Sequence, residues 1–323
     1  MRRRDFIIGI VGPTIVWRLA ARAQQAGKIA QIGFLGAASA SAYARQVEGF
    51  RLGLHDLGYT EGTNVAISYR WAEGNYARLS ELAAELVRSN VDVIVTHGTP
   101  AILAAKHATV TVPIVMAIIG DPVASGIVAS LARPGGNITG SSFFFPELNA
   151  KRVELLKEML PRITRIAILL NPDNPANRPD QKVEATARSL GIGLSPVPVR
   201  LPNDFEGAFG KMQQDDVSAV VIEDDGLLNA NVIAIATLAT KRGLLSIGNK
   251  ELAQAGGLIG YGVDFFTIFR RAAAFVDKVL KGIKPTDIPI EQATKFDFVL
   301  NVKTARALGL DVPTSILSDE VIE

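Results

Sequence analysis

From residue 29 to residue 261 the chain repeats one pattern: a short apolar run, a loop, then a longer stretch with apolar residues at helical spacing. Runs that are apolar throughout suit strands buried on both faces, so the pattern specifies parallel sheets covered by helices on both sides. Residues 29–35, 65–71, 91–95 and 114–119 are the expected strands of a first half. Helices are expected at 43–57, 76–89 and 101–108; Phe50, Leu54 and Leu57 recur at helical spacing before Gly58, a C-terminal stop. A second half repeats the plan, with strands at 165–170, 194–199, 219–222, 244–247 and 257–261. Its helices are expected at 149–160, 178–190, 204–214 and 232–242.

The segment from Gly120 to Phe145 joins the halves. Gly120-Asp121-Pro122 ends the fourth strand, and Asp121 before Pro122 predicts a capped helix over 123–132, halted by Arg133-Pro134-Gly135-Gly136. Asn137-Ile138-Thr139-Gly140 then returns to an extended path. After 261 the chain is expected to go back to the first half through a helix at 266–281, and to the second through 285–289 and 294–301, closing with a helix at 304–308. The expected fold is α/β with two lobes: residues 28–139 with about 262–285, and residues 140–261 with about 286–323. Each lobe lends strand-end loops to a shared crevice, and several crossings make a hinge that can close over a small molecule.

Residues 1–23 read as an export signal, distinct from the folded chain. Arg2-Arg3-Arg4 precedes a largely apolar run at 6–17, and Ala21-Arg22-Ala23 supplies the small-x-small cleavage pattern, with removal expected after Ala23. The run is too short to span a bilayer, which takes about 20 residues. Arg3-Arg4-Asp5-Phe6-Ile7 is similar to the twin-arginine motif, and Arg18 and Arg22 behind the apolar run fit that route better than general secretion. The segment carries five arginines and one acid, a net +4, so a chain of net +2 becomes −2 without it. No basic stripe with interleaved aromatics remains, which argues against nucleic acid. The absence of cysteine excludes disulfides and thiolate chemistry.

A search for catalytic patterns returns little. The three histidines, His55, His97 and His107, form no cluster with carboxylates at metal-ligand spacing, so neither a metal nor a cofactor is expected. No G-x-S-x-G elbow or phosphate-binding lysine loop occurs, and Gly33-Phe34-Leu35-Gly36 falls short of a dinucleotide fingerprint. Asn137-Ile138-Thr139 matches a glycosylation sequon, a coincidence beside a bacterial-type export signal.

The strand-end loops carry more. Thr96, His97, Gly98 and Thr99 precede a helix, where free amides and hydroxyls converge and would suit a carboxylate; Ser39 is a similar hydroxyl before the first helix. Plain capping by Thr96 or Thr99 is the structural alternative. In the second half Asn171, Asn174, Asp224 and Asp225 stand at strand ends as acceptors for an amino group, or as a solvated acidic turn. Tyr261 and Asp264 fall where the chain passes through the hinge.

Longer runs point to a family. G-D-P-V-A-S-G at 120–126, L-A-R-P-G-G-N at 131–137, A-G-G-L-I-G-Y-G at 255–262 and V-D-K-V-L-K-G at 276–282 carry the resemblance, with L-A-A-R-A-Q-Q at 19–25, R-R-A-A at 270–273 and T-K-F at 294–296. Over nearly its whole length the chain resembles the substrate-binding proteins of ABC importers, the group with the tryptophan-type binding proteins. The resemblance implies a type I periplasmic-binding fold, no catalysis, and delivery of a small solute to a membrane permease; the protein is expected to be monomeric and, from its leader, periplasmic. It carries Ser39, Thr96, Gly98, Thr99, Asp121, Asn171, Asn174 and Asp225 over as ligand-facing positions. The chain departs from the family pattern at Glu223-Asp224-Asp225-Gly226 and at His97, so an aromatic amino acid does not follow from the resemblance alone. A sensory module for a membrane kinase or chemoreceptor would use the same fold, and an exported α/β enzyme using Asp224 or Asp225 is a third reading.

Overall fold

The computed structural model describes residues 29–143, 145–177, 181–311 and 319–322. The export-signal expectation at 1–23 lies outside these residues.

Strands β1 (Ala30–Gly36), β2 (Val65–Trp71), β3 (Val93–Thr96), β4 (Ile114–Ile119) and β5 (Ile138–Ser142) belong to the first sheet. The second holds β6 (Arg165–Leu170), β7 (Gly193–Pro198), β8 (Ala219–Ile222), β9 (Leu245–Gly248) and β10 (Ile259–Gly262). Strand β11 (Glu291–Gln292) returns to the first sheet, while β12 (Asp297–Asn301) and β13 (Glu320–Ile322) complete the second. The orders are β11-β5-β4-β3-β1-β2 and β13-β12-β10-β9-β8-β6-β7. Every pairing is parallel except β10 with β12.

Alternation along each strand divides the first lobe into two cores. Ile32, Phe34, Val93, Val95 and Val115 face the helices Ala44–Asp56 and Phe265–Leu280. Leu35, Ile94, Ile114 and Met116 face Leu79–Arg88 and Thr99–Ala108. In the second lobe Ala167, Leu169, Val220 and Ile222 meet Phe205–Gln214 and Val232–Lys241. Ile166, Val221, Ile247 and Ile259 meet Phe145–Met159 and Gln181–Ser189.

Helices Ala44–Asp56 and Phe265–Leu280 touch through Gly49 and Gly53, one turn apart. A methyl at Gly49 would lie 2.6 Å from the Phe266 carbonyl oxygen, and one at Gly53 only 2.2 Å from that of Arg270. Two glycines at this spacing let the helix backbones approach closely. The first lobe is therefore closed by a segment more than 200 residues further along the chain.

Three details differ from the sequence expectations. Residues 123–132 form turns, with no helix. Asp121 does cap the segment, its Oδ1 accepting from the amides of Val123 and Ala124 at 2.9 Å each. Gly126 then takes φ +66°, a left-handed value that turns the chain before a helix can form. Residues 140–142, expected in the second lobe, pair with β4, and 291–292, also expected there, pair with β5, so both remain in the first sheet. The short helices Gly226–Ala230 and Lys250–Gln254 fall below the length at which periodicity is readable.

Candidate ligand site between the two lobes

The C-terminal ends of the strands in both sheets turn toward one another and enclose a cavity of about 60 Å³. The first lobe supplies His97, Gly98 and Thr99 after β3, Ile118, Ile119 and Gly120 at the end of β4, and Ala37 after β1. Aromatic walls come from Tyr43, Tyr76, Phe143, Phe265 and Phe269. The second lobe supplies Asn174, Ala176, Asp224, Asp225, Gly226 and Asn229. A cavity of about 150 Å³ is needed to take a molecule as small as benzene. This space thus has room for little more than water, while a larger groove of about 720 Å³ between the lobes lies beside it.

Gly98 at φ +72° sets the start of helix Thr99–Ala108, with Pro100 in its first turn. The Gly98 amide donates to the Ile118 carbonyl at 3.0 Å, and the first helical bond runs from the Ile102 amide to the Gly98 carbonyl at 3.1 Å. The amides of Thr99 and Ala101 lie ahead of that ladder at the positive end of the helix dipole, a setting that favours an anion.

Asp225 forms the opposite pole. Its Oδ1 accepts from the Leu227 amide at 2.9 Å and from Asn171 Nδ2 at 3.3 Å. Its Oδ2 accepts from Asn174 Nδ2 at 2.9 Å and from the Tyr76 hydroxyl at 2.9 Å. Burial raises its pKa, and these four neutral donors work in the other direction by favouring the charged form. Neighbouring Asp224 has a different environment. Its Oδ2 lies 2.9 Å from Nη2 of Arg152, a fully buried guanidinium that also donates to the carbonyls of Tyr261 and Ile222 and to Asn149 Oδ1. Asp224 borders the cavity, but its charge is engaged within the second lobe. Burial raises its pKa, against the opposing pull of Arg152 and Asn249.

His97 is buried against the rings of Tyr43 (centroids 4.2 Å apart) and Phe269 (5.4 Å). Burial lowers its pKa to about 3, so the imidazole stays neutral. The Tyr43 phenol, facing the cleft, is raised above its ordinary value by burial and then by the Asp225 charge.

Of the positions singled out in the sequence, His97, Gly98, Thr99, Asn174, Asp224 and Asp225 converge on this cavity. The others do not line it. Thr96 is buried, its hydroxyl donating to the Leu35 carbonyl at 3.0 Å. Asp121 is occupied as the turn cap, and Asp264 caps helix Phe265–Leu280 by accepting from the Thr267 amide. Tyr261 stacks on Phe296 and meets Phe298 edge-on. Ser39 and Asn171 line a larger interlobe groove of about 720 Å³ next to the cavity. Sequence reasoning missed Tyr43, Tyr76, Asn229, Phe143, Phe265 and Phe269. Tyr43 and Tyr76 open helices after strand-end loops, the same placement that singled out Thr99, and Asn229 lies one turn beyond Asp225.

The sequence model describing ABC transporter substrate-binding proteins matches residues 31–321. The chain belongs to that family. Among its relatives, a tyrosine-binding protein of Clostridioides difficile is 24% identical over 265 residues, 81% of this chain and 76% of the relative. A conserved domain protein from Vibrio cholerae O1 biovar eltor has a similar structure, with a TM-score of 0.85 and 27% identity, covering 91% of this chain and 100% of the other. An ABC domain from Streptococcus pneumoniae in complex with L-Trp gives a TM-score of 0.83 and 26% identity, over 91% and 99% of the chains. The two parallel-dominated, helix-flanked sheets of this substrate-binding protein match the type I periplasmic binding fold of these neighbours. Among the described residues no helix is long and apolar enough to cross a membrane, and no group of His, Asp and Glu could hold a metal ion.

Proposed function

We propose that this substrate-binding protein is the receptor of an ABC importer for an amino-acid-like solute, exported to the periplasm with its leader removed after Ala23. The observation that carries this reading is the pair of opposite poles on one cavity: the helix N-terminus that opens at Thr99 on the first lobe and the Asp225 carboxylate on the second. A zwitterion would place its carboxylate at the helix N-terminus and its ammonium at Asp225, touching both lobes at once. A solute held by both lobes favours the closed form by population shift. The membrane permease would then recognise that closed surface of a monomeric receptor. The rings of Tyr43, Phe143, Phe265 and Phe269 suit an apolar or aromatic side chain, in keeping with the L-Trp and tyrosine named for two relatives.

The test is titration calorimetry of periplasmically purified protein against the twenty amino acids, with native mass spectrometry for any co-purified solute. Binding of one or a few amino acids at one-to-one stoichiometry is expected. Asp225→Ala should weaken it by at least tenfold, since hydrogen bonds to charged groups contribute roughly 1.5–3 kcal/mol, whereas Thr99→Ala keeps the Thr99 amide and should weaken it less. A protein whose melting temperature no amino acid raises would refute this reading. An intact mass beginning at Gln24 would support the cleavage site.

A further inference from the structure

All four acceptor positions of the Asp225 carboxylate are filled in this structure, and the four donors are not alike. Leu227, Asn171 and Asn174 belong to the same lobe as Asp225, so their bonds persist whether the cleft is open or closed. Tyr76 belongs to the other lobe, on the loop after β2, and its bond exists only while the lobes touch. A carboxylate has about four lone-pair sites, so one further donor can be accommodated only by removing one already there.

We propose that the Tyr76 hydroxyl holds the position on Asp225 that a ligand's ammonium takes, so that Tyr76 sets the affinity of the site by competing with the ligand. This rests on the amino-acid reading above. In an open cleft Asp225 offers one unfilled acceptor position. Closure without a solute fills it with Tyr76, and closure on an amino acid fills it with the ammonium. The expelled ring has somewhere to go: Tyr76 borders both the small cavity and the 720 Å³ groove beside it. Its loop also has left-handed residues at Glu73 and Gly74, at a turn between β2 and the short helix Tyr76–Arg78. Swinging outward would join the two spaces, which the side chain of an amino acid requires given a cavity of only 60 Å³.

The test compares wild type with Tyr76→Phe, which keeps the ring and removes only the hydroxyl. Each is titrated with L-tyrosine and L-tryptophan and with 3-(4-hydroxyphenyl)propanoate and indole-3-propanoate, the same molecules without the amino group. For the amino acids Tyr76→Phe should bind about tenfold tighter, because a competing bond to a charged group is gone. For the des-amino acids, which leave the Tyr76 bond in place, the variant should bind no tighter. Small-angle scattering without added solute should give a larger radius of gyration for Tyr76→Phe, reporting lost closure. Weaker amino-acid binding by Tyr76→Phe would make the hydroxyl a direct ligand contact and overturn the proposal. Equal gains for both ligand sets would also overturn it. If neither protein binds any of the twenty amino acids, the amino-acid reading fails and this inference with it.

Discussion

Asp224 and Asp225 are adjacent and chemically identical, yet their surroundings differ completely. One faces a buried guanidinium inside its own lobe, and the other faces the cleft. Successive residues in an extended segment point to opposite sides, and nothing in a one-dimensional string says which side holds Arg152. Two other groups near the cleft give the molecule a measurable acid response. Burial raises the Glu251 carboxyl to about 7, with a smaller push from Asp224, and lowers His97 to about 3. Folded Glu251 retains a proton that the unfolded chain releases above 4.5, so its contribution to stability falls as pH rises from 4.5 to 7. His97 acts in the other direction: the unfolded chain gains a proton below 6.5, so stability is lost as pH falls from 6.5 toward 3. Melting curves across this range should show wild type losing ground to Glu251→Gln as pH rises to 7. Wild type should also lose ground to His97→Phe as pH falls below 6.5. Parallel curves for all three proteins would contradict the burial of these groups.

At the level of elements, the sequence was most readable where a run was long and chemically uniform. Strands at 65–71, 114–119, 165–170 and 219–222 have the expected bounds; in the last three, nearly unbroken apolar runs leave few alternatives, and in 65–71 β-branched and aromatic residues favour a strand. The helix expected at 123–132 failed for a local reason: the Asp121 cap is real, but Gly126 turns the chain before helical bonds can follow it. The two-residue strand β11 depends on its pairing with β5 and has no pattern of its own to read. The Gly49–Gly53 contact was also invisible, since Gly49-Phe50-Arg51-Leu52-Gly53 reads as a weak point in a helix until its partner backbone is placed. Gly53→Ala would push a methyl to 2.2 Å from the Arg270 carbonyl, forcing the helices apart. Overpacking of this kind costs typically 1–3 kcal/mol, so a clear fall in the urea midpoint is expected. Gly207→Ala, where a methyl meets nothing within 4 Å, is the matched control and should leave the midpoint unchanged or higher.

For the whole molecule, the contacts between the lobes among the described residues include the Tyr76 hydroxyl on Asp225, the Leu227 amide donating to that hydroxyl at 3.3 Å, and Arg45 Nη1 donating to Gln254 Oε1 at 3.2 Å. Ala37 and Gly226 also face each other across the lobes. A Cβ built on Gly226 would lie 3.3 Å from that of Ala37, near the roughly 3.8 Å of a disulfide. The chain has no cysteine of its own, so Ala37→Cys with Gly226→Cys would form an unambiguous lock. Oxidised, this double variant should not respond to added L-tyrosine in calorimetry, and dithiothreitol should restore the wild-type response. Undiminished binding by the oxidised form would mean that solute reaches the cavity without the lobes parting. The two-lobed plan was legible from the repeat of strand and helix, whereas this closed contact depends on side chains about 190 positions apart.

The helix Phe265–Leu280 has one more consequence. It contributes Phe265, Phe269, Phe275 and Val276 to the core beneath β1, β3 and β4, although those strands are complete by residue 119. During synthesis, the first 142 residues therefore leave the ribosome with one face of their sheet only partly covered, by helix Ala44–Asp56. That face stays open to chaperones, and to misassociation, until residue 280 has been made. The amino-terminal lobe is the first to be translated but cannot be the first to finish folding. The lobe is thus kept from its final form until synthesis is nearly complete.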